Sequence, residues 1–379
     1  MRVLVSTTGA AGHFTPLVPF ARALLDAGDE VLVTTRGSTL DTVRSAGFEA
    51  APYGEPPAEQ RDAVFAQGRD LGPDDANALV ARELFGGLDV VAALPDVRAT
   101  IARWRPDVVL HESGEMAAPL AAELAGIPNV ATLITLAASV LKFIDPVLEG
   151  LAPTRAAAGL PAEVPEPAEF FTLMPAALEQ PGLSGPPGLR RFRPEDEPAG
   201  ELPDWWPGND DPLVYVTFGS VAAGYGTFPG LYKAVLDVLA PLPVRVLMTT
   251  GRNTDLSLLG ELPPNVHAEQ WVPQQAVTPH AAAIVCHGGS GTMRDGLAGG
   301  VPLVVLPLFA DQPYNAERVA AAGAGIALPA REAGVPRVAD AVRAVLREPS
   351  YAARAMEIAA DNATLPPVSA AVDVLRALA

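Results

Sequence analysis

One stretch in the second half of the chain limits the folds open to it. Between Trp271 and Asn315 an apolar run, Ala283-Ile284-Val285-Cys286, enters His287-Gly288-Gly289-Ser290-Gly291-Thr292 directly, and a helix-compatible segment follows from Met293 to Ala298. A strand that stops on glycines and restarts as a helix aims backbone N–H groups and the positive end of a helix dipole at one point, where small residues let an anion approach the backbone. A second apolar run, Pro302 to Leu308, ends in Ala310-Asp311-Gln312, so a parallel sheet would bring a second polar strand end beside the first. Glycines after a strand also make plain tight turns. What points to a ligand here is their company: Trp271-Val272-Pro273-Gln274 upstream, His287, Ser290 and Thr292 at the turn, and Asp311-Gln312 downstream.

The N-terminus repeats the same design. Arg2 to Ser6 reads as a strand, Thr7 to His13 as a loop, and Pro16 leads a helix carrying Leu17, Phe20, Leu24 and Leu25. Gly9 and Gly12 lack a third glycine at dinucleotide spacing, so a nicotinamide site is poorly supported. A strand from Glu30 to Thr35, a helix to Ala46 and a strand from Phe48 to Tyr53 complete a βαβαβ unit. From Gly54 to Gly87 the pattern loosens. A helix broken by Pro95, a strand from Pro106 to Glu112, a helix from Met116 to Ala125 and a strand from Asn129 to Leu133 follow, and then a second loose region at 134–190. The two loose regions read as walls of an apolar pocket bearing Phe65, Phe85, Met116, Phe143 and Phe171, although ordinary core packing explains any single one equally well.

Arg193 to Pro212, rich in proline and acidic residues and containing Trp205-Trp206, reads as a linker. Leu213 to Ser220 opens a second α/β unit, with a helix from Pro229 and a strand from Arg245 to Thr249. The expected domains are 1–208 and 209–379, consistent with a chain of 379 residues, too long for one ordinary core.

Hydrophobic content of 49% against 18% charged excludes a disordered chain. A net charge of −18 repels nucleic acid and anionic membranes, so neither is an expected partner, and any anionic substrate must be held locally. Cys286 is the one cysteine, which precludes an intramolecular disulfide and suits a reducing cytoplasm. The N-terminal apolar run is too short for a signal peptide, and the longest apolar stretch, Ile127 to Ile144, holds enough polar residues to read as strand then helix rather than a membrane span. None of the histidines stands in an HxH or HExxH spacing, and neither CxxC nor Asp-X-Asp occurs, so no metal site is expected.

The ordered set from Trp271 to Gln312 resembles the nucleotide-sugar box of GT-B glycosyltransferases, in particular the bacterial antibiotic glycosyltransferases related to plant UDP-glucosyltransferases. The match is strongest over the first ~25 residues and from about Glu269 to Arg318. The resemblance implies an α/β, GT-B fold: two Rossmann-like domains facing a central cleft, with a last helix that crosses back to the first domain, a part that Val368 to Leu378 could take. It implies an inverting transfer of a hexose or deoxyhexose from a dTDP- or UDP-sugar to a hydroxyl of an apolar aglycone, by a cytoplasmic monomer or homodimer. No cofactor or metal is expected, since the nucleotide sugar is a co-substrate. In that resemblance Ser220, His287, Gly289, Ser290, Gly291 and Thr292 hold the diphosphate as preorganised donors. Trp271 stacks on the base, Val272 and Gln274 line it, Asp295 meets the ribose, and Asp311 and Gln312 bind sugar hydroxyls.

His13, in Gly-X-X-Gly-His-X-X-Pro, resembles the family's general-base loop, and a neutral imidazole suits deprotonation near pH 7. In a sheet ordered 3-2-1-4-5 the first and fourth strands are neighbours, so Glu112, at the C-terminal end of its strand, is the expected partner of His13. Asp107 stands at the opposite end, ~15 Å away by the usual rise per residue. The family more often carries Asp in that role. A nucleotide-sugar epimerase of the same architecture and a non-catalytic GT-B-like partner protein are alternatives. An α/β-hydrolase fits less well, because a nucleophile elbow needs glycine where Thr292 stands.

Overall fold

The computed structural model describes residues 1–183, 185–195, 202 and 210–379. Trp205-Trp206, most of the expected linker and the expected boundary at 208/209 lie outside the described residues. The chain forms two compact units that are not contiguous in sequence. The first comprises Met1–Leu173, Pro181–Glu195 and Pro366–Ala379, and the second Met174–Gln180 and Asp196–Leu365.

The first unit is built on a sheet of seven strands, all parallel, in the order β3-β2-β1-β4-β5-β6-β7. These are β1 Arg2–Ser6, β2 Glu30–Arg36, β3 Ala50–Tyr53, β4 Val108–Glu112, β5 Asn129–Leu133, β6 Glu169–Thr172 and β7 Leu189–Arg191. The inner strands are buried on both faces, so Val3-Leu4-Val5 and Val108-Val109-Leu110 are continuous apolar runs without alternation. One sheet face carries Phe20, Phe171 and Phe192, and the other Leu4, Val97, Leu120 and Leu151.

Both regions that look irregular in sequence are largely helical. Helices Ala58–Gln67 and Pro73–Val80 lead into a π-helical segment Ala81–Leu88, and the second region holds helix Ala137–Ala157. The proline and glycine content that hides these helices reflects close packing. A Cβ on Gly86 would lie 2.1 Å from the Val147 carbonyl oxygen, and one on Gly150 2.0 Å from that of Arg82, so two backbones touch where no side chain fits. Pro95 does not end its helix, Asp89–Trp104, because buried Ala93 and Val97 hold the segments on either side of it.

The terminal helix Ala370–Arg376 belongs to the first unit, where Val368, Val372 and Leu375 join the core with Phe20 and Leu24. Isolated helices shorter than ~12–15 residues are marginal in water, so docking sustains this one, with burial worth ~1.5–3 kcal/mol for each large apolar side chain. Arg376 also donates to Asp29 at 3.1 Å.

The second unit has a parallel sheet of six strands, β10-β9-β8-β11-β12-β13. They are β8 Leu213–Thr217, β9 Arg245–Thr249, β10 Val266–Glu269, β11 Ala281–Cys286, β12 Leu303–Val305 and β13 Gly325–Ala327. Met174–Gln180 joins this unit because Arg318, on helix Gln312–Ala321, donates to the carbonyls of Leu178 and Glu179 at 3.0 and 2.9 Å.

Candidate active site

In the first unit the candidate site residues stand at the C-terminal ends of β1 and β4, which pair with Ser6 opposite His111. After β1 the chain turns on Gly9 at φ 85°, where a Cβ would fall 2.0 Å from Thr39 Oγ1, and then forms the short helix Ala11–Phe14 that carries His13. His13 Nδ1 lies 2.9 Å from Glu112 Oε1. The Glu112 carboxylate is fully buried and accepts further hydrogen bonds from Thr8 N and Oγ1, at 3.3 and 3.1 Å, and from Gly114 N. Burial by itself would raise its pKa. The charge and hydrogen bond of His13, with the N–H groups of Gly114 and Thr8, outweigh that and hold Glu112 below the ordinary glutamate value. The result is an anion fixed against one imidazole nitrogen, which selects the tautomer with the lone pair on Nε2.

Asp107 sits at the far end of β4, where its Oδ2 accepts from Arg2 N at 2.6 Å. His111 points away, with Nδ1 3.0 Å from the Glu112 carbonyl and Nε2 3.2 Å from Asn129 Oδ1, and burial lowers its pKa. A second carboxylate, Glu115, is buried beside Glu112. It accepts from Ala117 N at 2.9 Å and from Ala118 N at 3.1 Å, and burial pushes it up to about 7. Nothing in the sequence distinguishes Glu115, or Thr8, from solvent-facing loop residues.

Of the five apolar side chains expected to form one pocket wall, Met116, Phe85 and Phe143 share one hydrophobic cluster, while Phe171 and Phe65 lie apart from it. Phe171 is a core residue, fully buried with its ring centroid 5.4 Å from Phe20 and 5.0 Å from Phe192, because β6 turns it toward helix Val18–Asp26. Met116 is also buried in the core, at the start of helix Ala117–Ala125. Phe65 is exposed, and Phe143 is half-buried with Lys142 Nζ 5.6 Å from its ring centroid. Phe85 alone meets the His13–Glu112 pair: the π-helical segment sets its ring centroid 5.8 Å from that of His13.

In the second unit the polar groups stand at the ends of β8, β11 and β12, in register at Thr217, Cys286 and Val305. Burial raises the Cys286 thiol to about 12, which makes it a packing residue rather than a nucleophile. His287 is wedged between two glycines. A Cβ on Gly219 would lie 2.9 Å from its Cε1, and one on Gly289 2.4 Å from its Nε2. Burial lowers its pKa to about 4 against the raising effect of the Thr217 backbone, so the ring is neutral near pH 7, and its buried Nδ1 has no hydrogen-bond partner among the described residues. Helix Ser290–Ala298 starts beside this ring with no side-chain cap and no acidic residue in its first turn. The N–H groups of Ser290, Gly291 and Thr292 therefore have no intrahelical acceptor and, with the helix dipole, favour an anion.

Around this turn, Gln274 Nε2 donates to Asp295 Oδ2 at 3.1 Å, and Arg294 Nε to Asp295 Oδ1 at 2.7 Å, so both oxygens of the expected ribose acid are already engaged. Val272 is buried, Ser220 is exposed beyond β8, and Trp271 is 47% exposed. The Arg252 guanidinium lies 3.8 Å from the Trp271 ring centroid, an arrangement no motif announces. After β12 the chain passes Ala310 at φ 56° to Asp311. Gln312 is buried and its Oε1 accepts from Leu308 N and Phe309 N at 2.8 and 3.1 Å. Asn315, whose role sequence reading missed, ties the two loops together through Nδ2, 2.9 Å from both the Gly288 carbonyl and Asp311 Oδ2. Its spacing from Asp311 on one helix face was the available signal. Among the described residues no group of three or more His, Cys, Asp or Glu side chains is placed to hold a metal ion, and no helix is long and apolar enough to cross a membrane.

Two parallel sheets, one with a glycine-rich strand-to-helix turn and the other with a histidine–carboxylate pair at its strand ends, are those of a GT-B glycosyltransferase. Residues 22–145 match the family described as erythromycin biosynthesis protein CIII-like, N-terminal domain, and residues 233–378 match its C-terminal domain. The L-demethylnoviosyl transferase of Streptomyces niveus is 33% identical across 97% of this chain and 95% of its own length. The elloramycin glycosyltransferase ElmGT of Streptomyces olivaceus is 34% identical across 97% and 94%. Among solved structures, the Streptomyces sp. SF2575 glycosyltransferase SsfS6 complexed with thymidine diphosphate superposes with a TM-score of 0.82 at 29% identity, over 100% of this chain and 99% of that one. The chain belongs to the GT-B natural-product glycosyltransferases of antibiotic biosynthesis.

Proposed function

We propose that this glycosyltransferase moves a hexose or deoxyhexose from a dTDP- or UDP-sugar to a hydroxyl of an apolar polyketide or phenolic aglycone, with inversion at the anomeric carbon and without a metal ion. In one displacement the acceptor oxygen bonds to C1 as the bond from C1 to the diphosphate breaks. The hydroxyl proton passes to His13 Nε2, and the diphosphate leaves with the bonding pair. Glu112 holds the imidazole and stabilises the imidazolium that forms. The growing negative charge on the diphosphate falls to the N–H groups of 290–292, neutral His287 and Ser220, with Trp271 under the base and Asp311 and Gln312 on the sugar. The names of the relatives support a dTDP-sugar ahead of a UDP-sugar, since the solved relative SsfS6 holds thymidine diphosphate.

The observation that carries this reading is the 2.9 Å contact of His13 with a buried, depressed carboxylate, which an acceptor-activating base requires and a passive partner protein does not. Incubation with dTDP- and UDP-sugars and a panel of aromatic and polyketide acceptors, followed by mass spectrometry and NMR of the anomeric coupling, tests it. A β-glycoside from an α-donor is expected. An isomerised sugar nucleotide without acceptor consumption would instead identify an epimerase.

A further inference from the structure

Trp271 is a large aromatic left 47% exposed, and one face of its indole is covered by the Arg252 guanidinium at 3.8 Å from the ring centroid. Cation–π pairs of this kind occur roughly once per 70–80 residues, so the contact alone carries little weight. What sets it apart is how the two loops that present it are joined. Thr250 N and Gly251 N donate to the carbonyls of Glu269 and Gln270 at 3.0 and 2.8 Å, and Gln270 Nε2 returns a hydrogen bond to the Thr254 carbonyl. Within the first loop Thr254 Oγ1 lies 2.6 Å from Thr250 Oγ1 and donates to the Gly251 carbonyl at 2.8 Å. Gly251 takes φ 108°, which places Arg252 directly after a left-handed residue. The loop bearing Arg252 is thus stitched to the residue preceding Trp271, and cation and indole are presented as one preorganised platform.

We propose that Arg252 is a donor-binding residue that backs the Trp271 indole, so that the base of a nucleoside diphosphate stacks only on the opposite face. The proposal rests on the reading of Trp271 as the base platform. A cation over one face polarises the indole and fixes its plane, which lowers the ordering cost of stacking a second planar group. Arginine suits this better than lysine because its guanidinium is itself planar. On a chain of net charge −18, a cation beside an anion site also provides local attraction that the protein as a whole lacks.

Calorimetric titration of dTDP and of thymidine into the native protein, Arg252→Ala, Arg252→Lys and Trp271→Ala tests this. Arg252→Ala is expected to weaken both ligands roughly 3- to 30-fold, Arg252→Lys by less, and the kinetic loss is expected in donor KM more than in kcat. Unchanged dTDP affinity in Arg252→Ala with weakened affinity in Trp271→Ala would overturn the proposal while leaving the base platform standing. Weakening of dTDP but not thymidine would also overturn it, by placing Arg252 on the diphosphate. If Trp271→Ala itself binds dTDP normally, the platform reading falls and the proposal with it.

Discussion

The backbone N–H of Glu115 donates to the Glu112 carbonyl at 3.0 Å, and the two buried carboxylates beside that bond are perturbed in opposite directions. Glu112 is held below its ordinary value because His13 and two N–H groups outweigh its burial. Glu115 is raised to about 7 because burial outweighs the N–H groups of helix Ala117–Ala125, and the charge on Glu112 adds to the rise. His13 pairs with Glu112, whereas Glu115 is met by the backbone N–H groups of Ala117 and Ala118.

Glu115 therefore makes folding depend on pH. Its folded pKa lies above the unfolded one, so the folded state binds the extra proton between about 4.5 and about 7, and the stability this contributes is lost as pH rises through that window. Glu115→Gln, which cannot ionise, should gain on the native protein by roughly 2–4 kcal/mol in denaturant-derived stability between pH 5 and pH 8. A difference that stays flat across that range would show that Glu115 is not titrating there.

His13→Ala should abolish transfer while dTDP binding survives, and Glu112→Gln should cut turnover by roughly 10- to 1,000-fold. Asp107→Asn serves as the control, because Asp107 holds the start of β1 rather than the imidazole. Steady-state kinetics of the three variants would reject the pairing if Asp107→Asn were inactive and Glu112→Gln fully active.

The order of the first five strands of the first sheet, the Rossmann-like character of both units and the contact between His13 and Glu112 could be read from the sequence, because each follows from apolar runs and strand-end positions that obey simple periodicity; β6 and β7, which extend the sheet from a region that reads as loose, could not. The helices within 54–87 and 134–190 could not. Their glycines and prolines satisfy helix packing at Gly86 and Gly150, a long-range fact that local propensity reports as loop. Phe171 was misplaced because an aromatic in an apolar segment is equally compatible with a pocket and a core, and only the facing of β6 decides. Arg252 and Glu115 act through partners distant in sequence or hidden by burial, so no spacing announces them, whereas Asn315 stands one helical turn from Asp311.

Gly291→Ala tests the proposed anion site apart from the fold. No atom outside its own turn of helix and its chain neighbours lies within 4 Å of a Cβ built there, and alanine is favoured over glycine within a helix by up to ~1 kcal/mol. The variant should melt no lower than the native protein yet bind dTDP several-fold more weakly, since the added methyl stands where a diphosphate would approach. Normal dTDP affinity would move the diphosphate away from this helix terminus.

Transfer should be insensitive to chelation. The sequence carries no Asp-X-Asp, and the turn at 287–292 offers backbone donors and a neutral His287 for the leaving group. EDTA at millimolar concentration is expected to leave the initial rate unchanged. A large loss of rate that magnesium restores would contradict metal-independent transfer.

The return of residues 366–379 to the first unit has a bearing on recombination between relatives. A hybrid made with a single crossover in the middle of the chain would pair one parent's Phe20 and Leu24 with the other parent's Val372 and Leu375. Exchange of whole units needs a second junction near 365/366, and a third pair flanking 174–180 where Arg318 grips the passing backbone. Chimeras built at all of these junctions should keep both cores intact, whereas single-junction libraries would be depleted of soluble members in proportion to how far the terminal helices of the parents differ.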